Sequence, residues 1–176
     1  MTFSLEIKKE LSRIEDMDEC CKKSELAGLM RAGLSLRMYQ GKPRLLFITE
    51  NASLSRHVFS RVKEIYKGSP DVFMLKTRRF RTHTVYQLEF THLMEDAVHH
   101  IIEDMGITLA GGGTELKYYP MDIKKRCCRR AYLRGAFLAT GSISDPDRSY
   151  HLEITFADSL LAEEYIRYSN GFGIEP

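Results

Sequence analysis

The pattern of apolar residues along this chain distinguishes the predicted helices from the predicted strands. Spacings of three and four residues predict helices over about 5–15, 19–33, 52–67 and 92–105. Stretches rich in β-branched and aromatic residues predict strands over about 34–39, 44–49, 71–77 and 83–91. The order is therefore α-β-β-α-β-β-α, preceded by one helix for which Phe3-Ser4 is the predicted hydrophobic staple and N-cap.

The stretch that begins at Cys20 recurs 107 residues later, from Cys127. Six of the 17 aligned positions are identical, where chance would supply about one. The identical pairs are Cys20/Cys127, Cys21/Cys128, Leu26/Leu133, Gly28/Gly135, Ala32/Ala139 and Ser35/Ser142. Asn51 and Asp158, each a predicted helix N-cap, keep the same offset. The chain therefore contains a long-period internal duplication.

The duplication predicts how the chain is divided. The predicted segments are an N-terminal helix at 1–18, a first repeat at 19–110, a Gly-containing linker at 111–121 and a second repeat at 122–176. Gly111-Gly-Gly113 lacks the Gly-Lys-Ser/Thr sequence and the preceding strand of a phosphate-binding loop, which favours a flexible linker. The second repeat stops before its last two strands and helix, so we expect a fragment of a longer protein.

Small residues recur at the same places in the central helix of each repeat. Gly28 and Ala32 share one helix face, and Gly135 and Ala139 share the equivalent face. Glycine inside a helix costs about 1 kcal/mol relative to alanine, so its recurrence indicates a packing role. We predict that the two helices pack closely about a pseudo-two-fold axis.

The composition restricts the class of protein without naming a partner. A net charge of +2 and a pI near 8.3 provide no strongly basic tail, so any nucleic-acid surface must come from local clustering. No apolar run approaches the roughly 18 residues that a membrane span needs, and the N-terminus is not a signal peptide. We expect a cytoplasmic protein with no membrane partner.

The potential metal ligands do not form a recognisable site in the sequence. The adjacent cysteine pairs match neither a secreted disulfide framework nor the usual zinc spacing, which favours small buried residues over a redox or metal role. His92, Asp96, His99 and His100 have helical spacings compatible with a metal, but a solvated helix face is favoured because no further ligand is evident. We predict no metal and no cofactor.

Basic residues cluster at the predicted hairpins and at the start of the second central helix. The candidate phosphate contacts are Lys42, Arg44, Lys76, Arg78, Arg79 and Arg81. A solvated hairpin without a partner stays open as the alternative, because no run of aromatic residues accompanies the basic ones. A second basic group is spread around its helix axis, and consists of Lys124, Lys125, Arg126, Arg129 and Arg130.

The duplicated helix and its following elements resemble the LAGLIDADG homing-endonuclease fold. The motif is matched at Leu26-Ala-Gly-Leu29 and Ala32, and again at Leu133, Gly135, Ala139 and Gly141. The resemblance implies an α+β saddle of two α-β-β-α-β-β-α units, with the second truncated here. The nuclease family places a metal-binding carboxylate at the eighth motif position, where this chain has Gly33 and Thr140. We therefore expect the packing role of the motif without its catalysis.

Longer motifs are similar to the WhiA family within that superfamily. They are Phe3-Ser-x-x-Ile-Lys-Lys-Glu-Leu11, Cys20-Cys21, Thr49-Glu-Asn-Ala52, Cys127-Cys-Arg-Arg-Ala-Tyr-Leu-Arg-Gly-Ala-Phe-Leu-Ala-x-Gly-Ser142 and Tyr150-His-Leu-Glu153. Leu34 departs from the glycine expected at the ninth motif position. The resemblance implies a bacterial sporulation and cell-division transcription regulator that binds DNA mainly through a C-terminal helix-turn-helix absent from this chain.

We therefore expect a non-catalytic module of a DNA-binding regulator, cytoplasmic and nucleoid-associated. Two alternatives stay open. One is a protein-interaction module that binds a regulatory protein and makes no DNA contact of its own. The other is a divergent homing endonuclease, which would require Mg²⁺-dependent cleavage.

Overall fold

The computed structural model describes residues 2–15, 17–77, 83–90, 102–149 and 151–176. Within them, the helices are α1 Phe3–Leu11, α2 Glu19–Gly33, α3 Ala52–Tyr66, α4 Arg126–Thr140 and α5 Ser159–Asn170. The strands are β1 Leu34–Tyr39, β2 Lys42–Thr49, β3 Asp71–Thr77, β4 His83–Glu89, β5 Ile107–Ala110, β6 Glu115–Tyr118, β7 Gly141–Ile143 and β8 Leu152–Ile154. The four-stranded sheet and the β7–β8 pair are antiparallel, which confirms the predicted α+β class.

The predicted element order is confirmed from α2 to β4. The predicted helix over 92–105 falls largely outside the described residues, and its end at 102–104 is helical. In the part of the chain that the structure describes, no helix combines the length and apolar character required to cross a bilayer.

The chain forms two compact units, one made of Met1–Gly33 and Tyr118–Pro176 and the other of Leu34–Lys117. The first unit thus combines the central helices of both repeats, and the second contains the four-stranded sheet. These units are groupings in space, so the repeat boundaries drawn from the sequence stay a prediction.

The first unit is built on the packing of α2 against α4. A Cβ atom at Gly28 would lie 2.1 Å from the backbone oxygen of Tyr132, and one at Gly135 would lie 2.1 Å from that of Glu25. The two helix backbones therefore touch at each of these glycines. The contact leaves no room for a side chain, which is why glycine is required there. Ala32 and Ala139 lie half-buried one turn further along the two helices.

The second unit has a sheet with the strand order β1-β2-β4-β3, and α3 packs against β2 and β4. Its buried apolar residues, among those that the structure describes, are Leu34, Leu45, Leu46, Phe47, Leu54, Val58, Val62, Leu88, Phe90, Ile102, Met105 and Ile107. The Asn51 side-chain oxygen accepts hydrogen bonds from the backbone N–H groups of Ser53 and Leu54. Asp158 caps α5 in the same way through Leu160, so both predicted caps are confirmed.

Two local predictions differ from the structure. Gly111, Gly112 and Gly113 form the turn between β5 and β6, in place of the expected flexible linker. All three have positive φ, and the Ala110 oxygen accepts hydrogen bonds from Gly113 and Thr114, so glycine supplies the backbone angles of a tight turn. Ser4 lies inside α1, and the N-cap of this helix is Thr2, whose side chain makes no capping hydrogen bond. The Ser4 hydroxyl instead accepts a hydrogen bond from the Ile143 N–H.

Replacing Gly28 or Gly135 with alanine should destabilise the first unit by at least about 1–3 kcal/mol, because the new methyl group would overlap a backbone oxygen of the facing helix. Urea unfolding followed by circular dichroism measures the change. Gly171→Ala is the matched control, since its φ is −63° and a Cβ there would lie 3.2 Å from its nearest neighbour. Equal stability changes in all three variants would contradict the close helix crossing.

Candidate functional site

The register of the four-stranded sheet decides which basic side chains share a face. Tyr39 pairs with Lys42 and Arg37 pairs with Arg44, and directly paired residues project from the same side of a sheet. Arg37, Lys42 and Arg44 therefore form a row on one face, here called the basic row. Arg37 was not among the candidates from the sequence, although strand alternation across the turn could have indicated it.

Lys76 lies on the opposite face of the same sheet. Leu46, which shares the face of Arg44, pairs with Glu89, and Glu89 pairs with Asp71. Lys76 is five residues after Asp71, so its side chain projects to the other side. The structure thus separates it from the basic row. The remaining predicted contacts and the potential ligands on the helix predicted over 92–105 lie outside the described residues, namely Arg78, Arg79, Arg81, His92, Asp96, His99 and His100.

The basic row differs in how far its charges are already engaged. The Arg44 guanidinium lies 4.3 Å from the centre of the Tyr39 ring and 3.3 Å from the carboxylate of buried Glu89. The ring and the ion pair hold Arg44 in place and partly neutralise it. Arg37 and Lys42 are exposed. The row therefore offers two exposed cations beside one fixed guanidinium.

The positions that correspond to the nuclease carboxylates lie at the ends of the two central helices. Helix α2 ends at Gly33 and helix α4 ends at Thr140. Neither residue supplies an anionic oxygen. The Thr140 hydroxyl oxygen is buried and has no hydrogen-bond partner among the described residues.

A buried ion pair lies close to these helix ends. The Arg31 guanidinium is 2.7 Å from the Glu164 carboxylate, and the side chains are only 1% and 2% exposed. Arg31 also donates to the Tyr132 hydroxyl at 3.2 Å and to the Tyr119 backbone oxygen at 3.0 Å. The second Glu164 oxygen accepts the Met121 N–H. These bonds join α2, α4, α5 and the segment before α4.

Tyr132 completes this buried network as a neutral donor. Burial raises the pKa of the Tyr132 phenol, so the hydroxyl keeps its proton and donates to Glu164 at 3.2 Å. The Glu164 carboxylate is therefore satisfied by protein donors. Sequence reasoning missed this network, because Arg31 and Glu164 are 133 residues apart and belong to different repeats.

The four cysteines meet at the first turns of α2 and α4. The Sγ atoms of Cys21 and Cys128 are 3.9 Å apart, and those of Cys20, Cys21 and Cys128 all lie within 4.8 Å of one another. Among the described residues, this is the one group of three metal-ligating side chains so close together. The prediction of small buried residues is correct for Cys21 and Cys128 and wrong for Cys127, which is exposed.

The thiols differ in acidity because they differ in burial and hydrogen bonding. Burial raises the pKa of the Cys21 thiol, and its hydrogen bonds to Cys127 and Cys128 add to that rise. The hydrogen bond with Cys21 lowers the pKa of Cys127. Cys127 is therefore the more acidic thiol of this pair.

The fold and these helix ends define a LAGLIDADG-like module without carboxylates at the two motif positions. Residues 19–108 match the WhiA N-terminal LAGLIDADG-like domain, and residues 129–176 match the WhiA LAGLIDADG-like domain. The chain belongs to the WhiA family.

Relatives and solved structures agree with this assignment. The chain is 36% identical over 175 residues to a probable cell division protein WhiA of Desulforudis audaxviator, covering 99% of this chain and 55% of that protein. It is 38% identical over 165 residues to the protein of the same name from Ruminiclostridium cellulolyticum, covering 93% of this chain and 51% of the relative. The chain thus spans about half the length of these relatives.

Two crystal structures share the fold. The N-terminal LAGLIDADG domain of WhiA superposes with a TM-score of 0.69 at 21% identity, covering 99% of this chain and 76% of that one. Full-length WhiA from Thermatoga maritima gives a TM-score of 0.66 at 20% identity, covering 99% of this chain and 52% of that one. These matches confirm the expected LAGLIDADG-like architecture.

Arg31→Met should destabilise the first unit by about 3–5 kcal/mol, because it leaves the Glu164 carboxylate buried without its cation. Urea unfolding measures this loss. The matched control is Arg167→Met, which removes an exposed cation 3.6 Å from the same carboxylate and should cost less than about 1 kcal/mol. A loss for Arg31→Met no larger than that of the control would show that the ion pair does not hold the helices together.

Proposed function

We propose that this chain is the non-catalytic LAGLIDADG-like module of a bacterial DNA-binding transcription regulator that acts in cell division or sporulation. Membership of the WhiA family supports the broad role, since relatives are named probable cell division proteins. The observation that carries the DNA-contact part is the basic row on one face of the four-stranded sheet. The regulator would be nucleoid-associated and would also contact DNA through a helix-turn-helix.

The chemistry of the basic row suits the phosphate backbone. Arg37 and Lys42 are exposed, and a guanidinium can donate two parallel hydrogen bonds to one phosphate. Such contacts position a protein on DNA without reading its sequence. The module would therefore orient the regulator, and base-specific contacts would come from elsewhere in the full protein.

Binding without cleavage follows from the helix ends. Nuclease chemistry of this fold uses a carboxylate from each central helix to hold a divalent cation over the phosphates. Gly33 and Thr140 have no charge for that purpose, and the nearby Glu164 carboxylate is already bound to Arg31. This arrangement supports a module that packs like a nuclease and does not cut.

A salt titration tests the proposed DNA contact. The affinity of the chain for duplex DNA should fall with increasing salt, and the slope of log K against log salt should become shallower by about 1.8 in the double variant Arg37→Ala/Lys42→Ala, since each lost phosphate contact contributes about 0.9. Fluorescence anisotropy with a labelled duplex measures both quantities.

The control removes the same two residue types from another surface. Arg56 and Lys63 are both exposed on α3, so Arg56→Ala/Lys63→Ala changes the net charge equally. Its slope should match that of the parent chain. Equal slope changes in the two double variants would show that DNA binding reflects general charge attraction and not contacts of the basic row. A parent chain with no measurable DNA affinity would refute the proposed contact.

One observation favours the second candidate function, a protein-interaction module. Strand β3 lies at the edge of the sheet, and four consecutive apolar side chains on it are exposed, with Met74 at 72%. They are Val72, Phe73, Met74 and Leu75. An edge strand with exposed apolar side chains can pair with a strand of a partner.

The edge can be tested without knowing the partner. If β3 accepts a strand, the isolated chain should self-associate with increasing concentration, and Met74→Lys should reduce this association because a charge blocks edge pairing. Sedimentation velocity measures the association. Leu5→Lys, at an exposed position on α1, is the matched control. A monomer at all concentrations, or equal effects of both variants, would count against an interaction edge on β3.

A further inference from the structure

The two cysteine pairs form one cluster although they are far apart in sequence. Cys20 and Cys21 lie in the first turn of α2, and Cys127 and Cys128 lie in the first turn of α4. The close packing of these helices brings three sulfur atoms within 4.8 Å of one another. The fourth thiol, on exposed Cys127 next to Cys128, lines a cleft together with Cys21.

We propose that this cluster is a binding site for a thiophilic divalent cation, Zn²⁺ in the first instance, held by Cys20, Cys21 and Cys128 with Cys127 as the fourth ligand. Zinc binds cysteine sulfur at about 2.3 Å, and tetrahedral geometry then separates the sulfurs by about 3.8 Å. The Cys21–Cys128 separation of 3.9 Å matches that value. The Cys20 sulfur, within 4.8 Å of both, needs only a small side-chain rotation, whereas the Cys127 side chain, which lies outside this group of three, must rotate to complete the tetrahedron.

A disulfide explains the cluster less well. It would join two sulfur atoms at about 2.05 Å and leave the other thiols of the group without a role. A tetrahedral cation uses all four. The number of converging sulfurs therefore favours a metal over a redox pair.

Two features of the surroundings would offset the burial of Cys21 and Cys128, which raises the pKa of both thiols. Both cysteine pairs lie at helix N-termini, where the helix dipole stabilises negative charge. The Lys125 ammonium is 3.7 Å from the Cys20 sulfur. Four thiolates carry more negative charge than Zn²⁺ balances, so this ammonium and the two helix ends offset the remainder.

An ion can reach the cluster from solvent. A cleft of about 240 Å³ is lined by Cys21 and Cys127 together with Asp18 and Arg134. The exposed Cys127 lies at this entrance, where it could bind an arriving ion first. A bound ion would then join the first repeat to the second through α2 and α4, and would stabilise the folded chain by its binding free energy.

Cobalt substitution tests the proposal on the reduced chain under argon. We expect one Co²⁺ per chain, with the near-ultraviolet thiolate-to-cobalt charge-transfer band and the visible bands of tetrahedral cobalt, and displacement of both by Zn²⁺. Cys21→Ser and Cys128→Ser should each lose the charge-transfer intensity of one thiolate and bind at least tenfold more weakly. Lys125→Ala, which keeps all four sulfurs, is the control and should retain the tetrahedral bands.

A second measurement uses the unaltered chain, in case a buried serine prevents folding. Zn²⁺ should protect the four cysteines from iodoacetamide, as mapped by mass spectrometry, and should raise the urea midpoint. Any of three results would overturn the metal site. They are an octahedral cobalt spectrum, cobalt bands in both serine variants that equal those of the unaltered chain, and alkylation that is unaffected by Zn²⁺. A Cys21–Cys128 disulfide formed in air by a chain that takes up no cobalt under argon would also overturn it.

Discussion

The contact on which the first unit depends is the backbone-to-backbone crossing of α2 and α4. At Gly28 and at Gly135 the facing helix places a backbone oxygen 2.1 Å from the position that a Cβ would take. Because both helices use glycine, neither has to move away to make room for the other. The approach then fixes what surrounds it, since it brings the cysteines together at the helix starts and positions Arg31 beside Tyr132.

The same crossing explains how the two helices can pack without carboxylates at the two motif positions. Packing depends on small residues inside the helices, whereas cation binding would depend on the residues at their ends. Gly33 and Thr140 remove the charge at those ends and leave the crossing intact. Nearby, the guanidinium of Arg31 compensates the carboxylate of Glu164, so a cation is supplied by the protein itself. The residues that pack the helices and the residues that would hold a cation are thus different.

Local patterns predicted much of the fold, because each depends on neighbours in sequence. The elements from α2 to β4 follow apolar periodicity, and Asn51 and Asp158 are N-caps whose side chains bond within three residues. Two of the errors concerned local features. Three consecutive glycines suit a flexible linker or a tight turn equally well, and pairing of β5 with β6 selected the turn. Ser4 was predicted as a cap, but its hydroxyl bonds to a distant strand.

The sequence by itself determined the duplication, the faces on which the central helices pack and the lack of carboxylates at Gly33 and Thr140. Each of these is a property of residue type and spacing along one element. Tertiary structure alone decided which distant groups meet, namely the thiols of Cys20, Cys21 and Cys128, the Arg31–Glu164 pair and the basic row. Those contacts depend on the helix crossing and on strand register, where a shift of one residue would move Arg37 to the other face of the sheet.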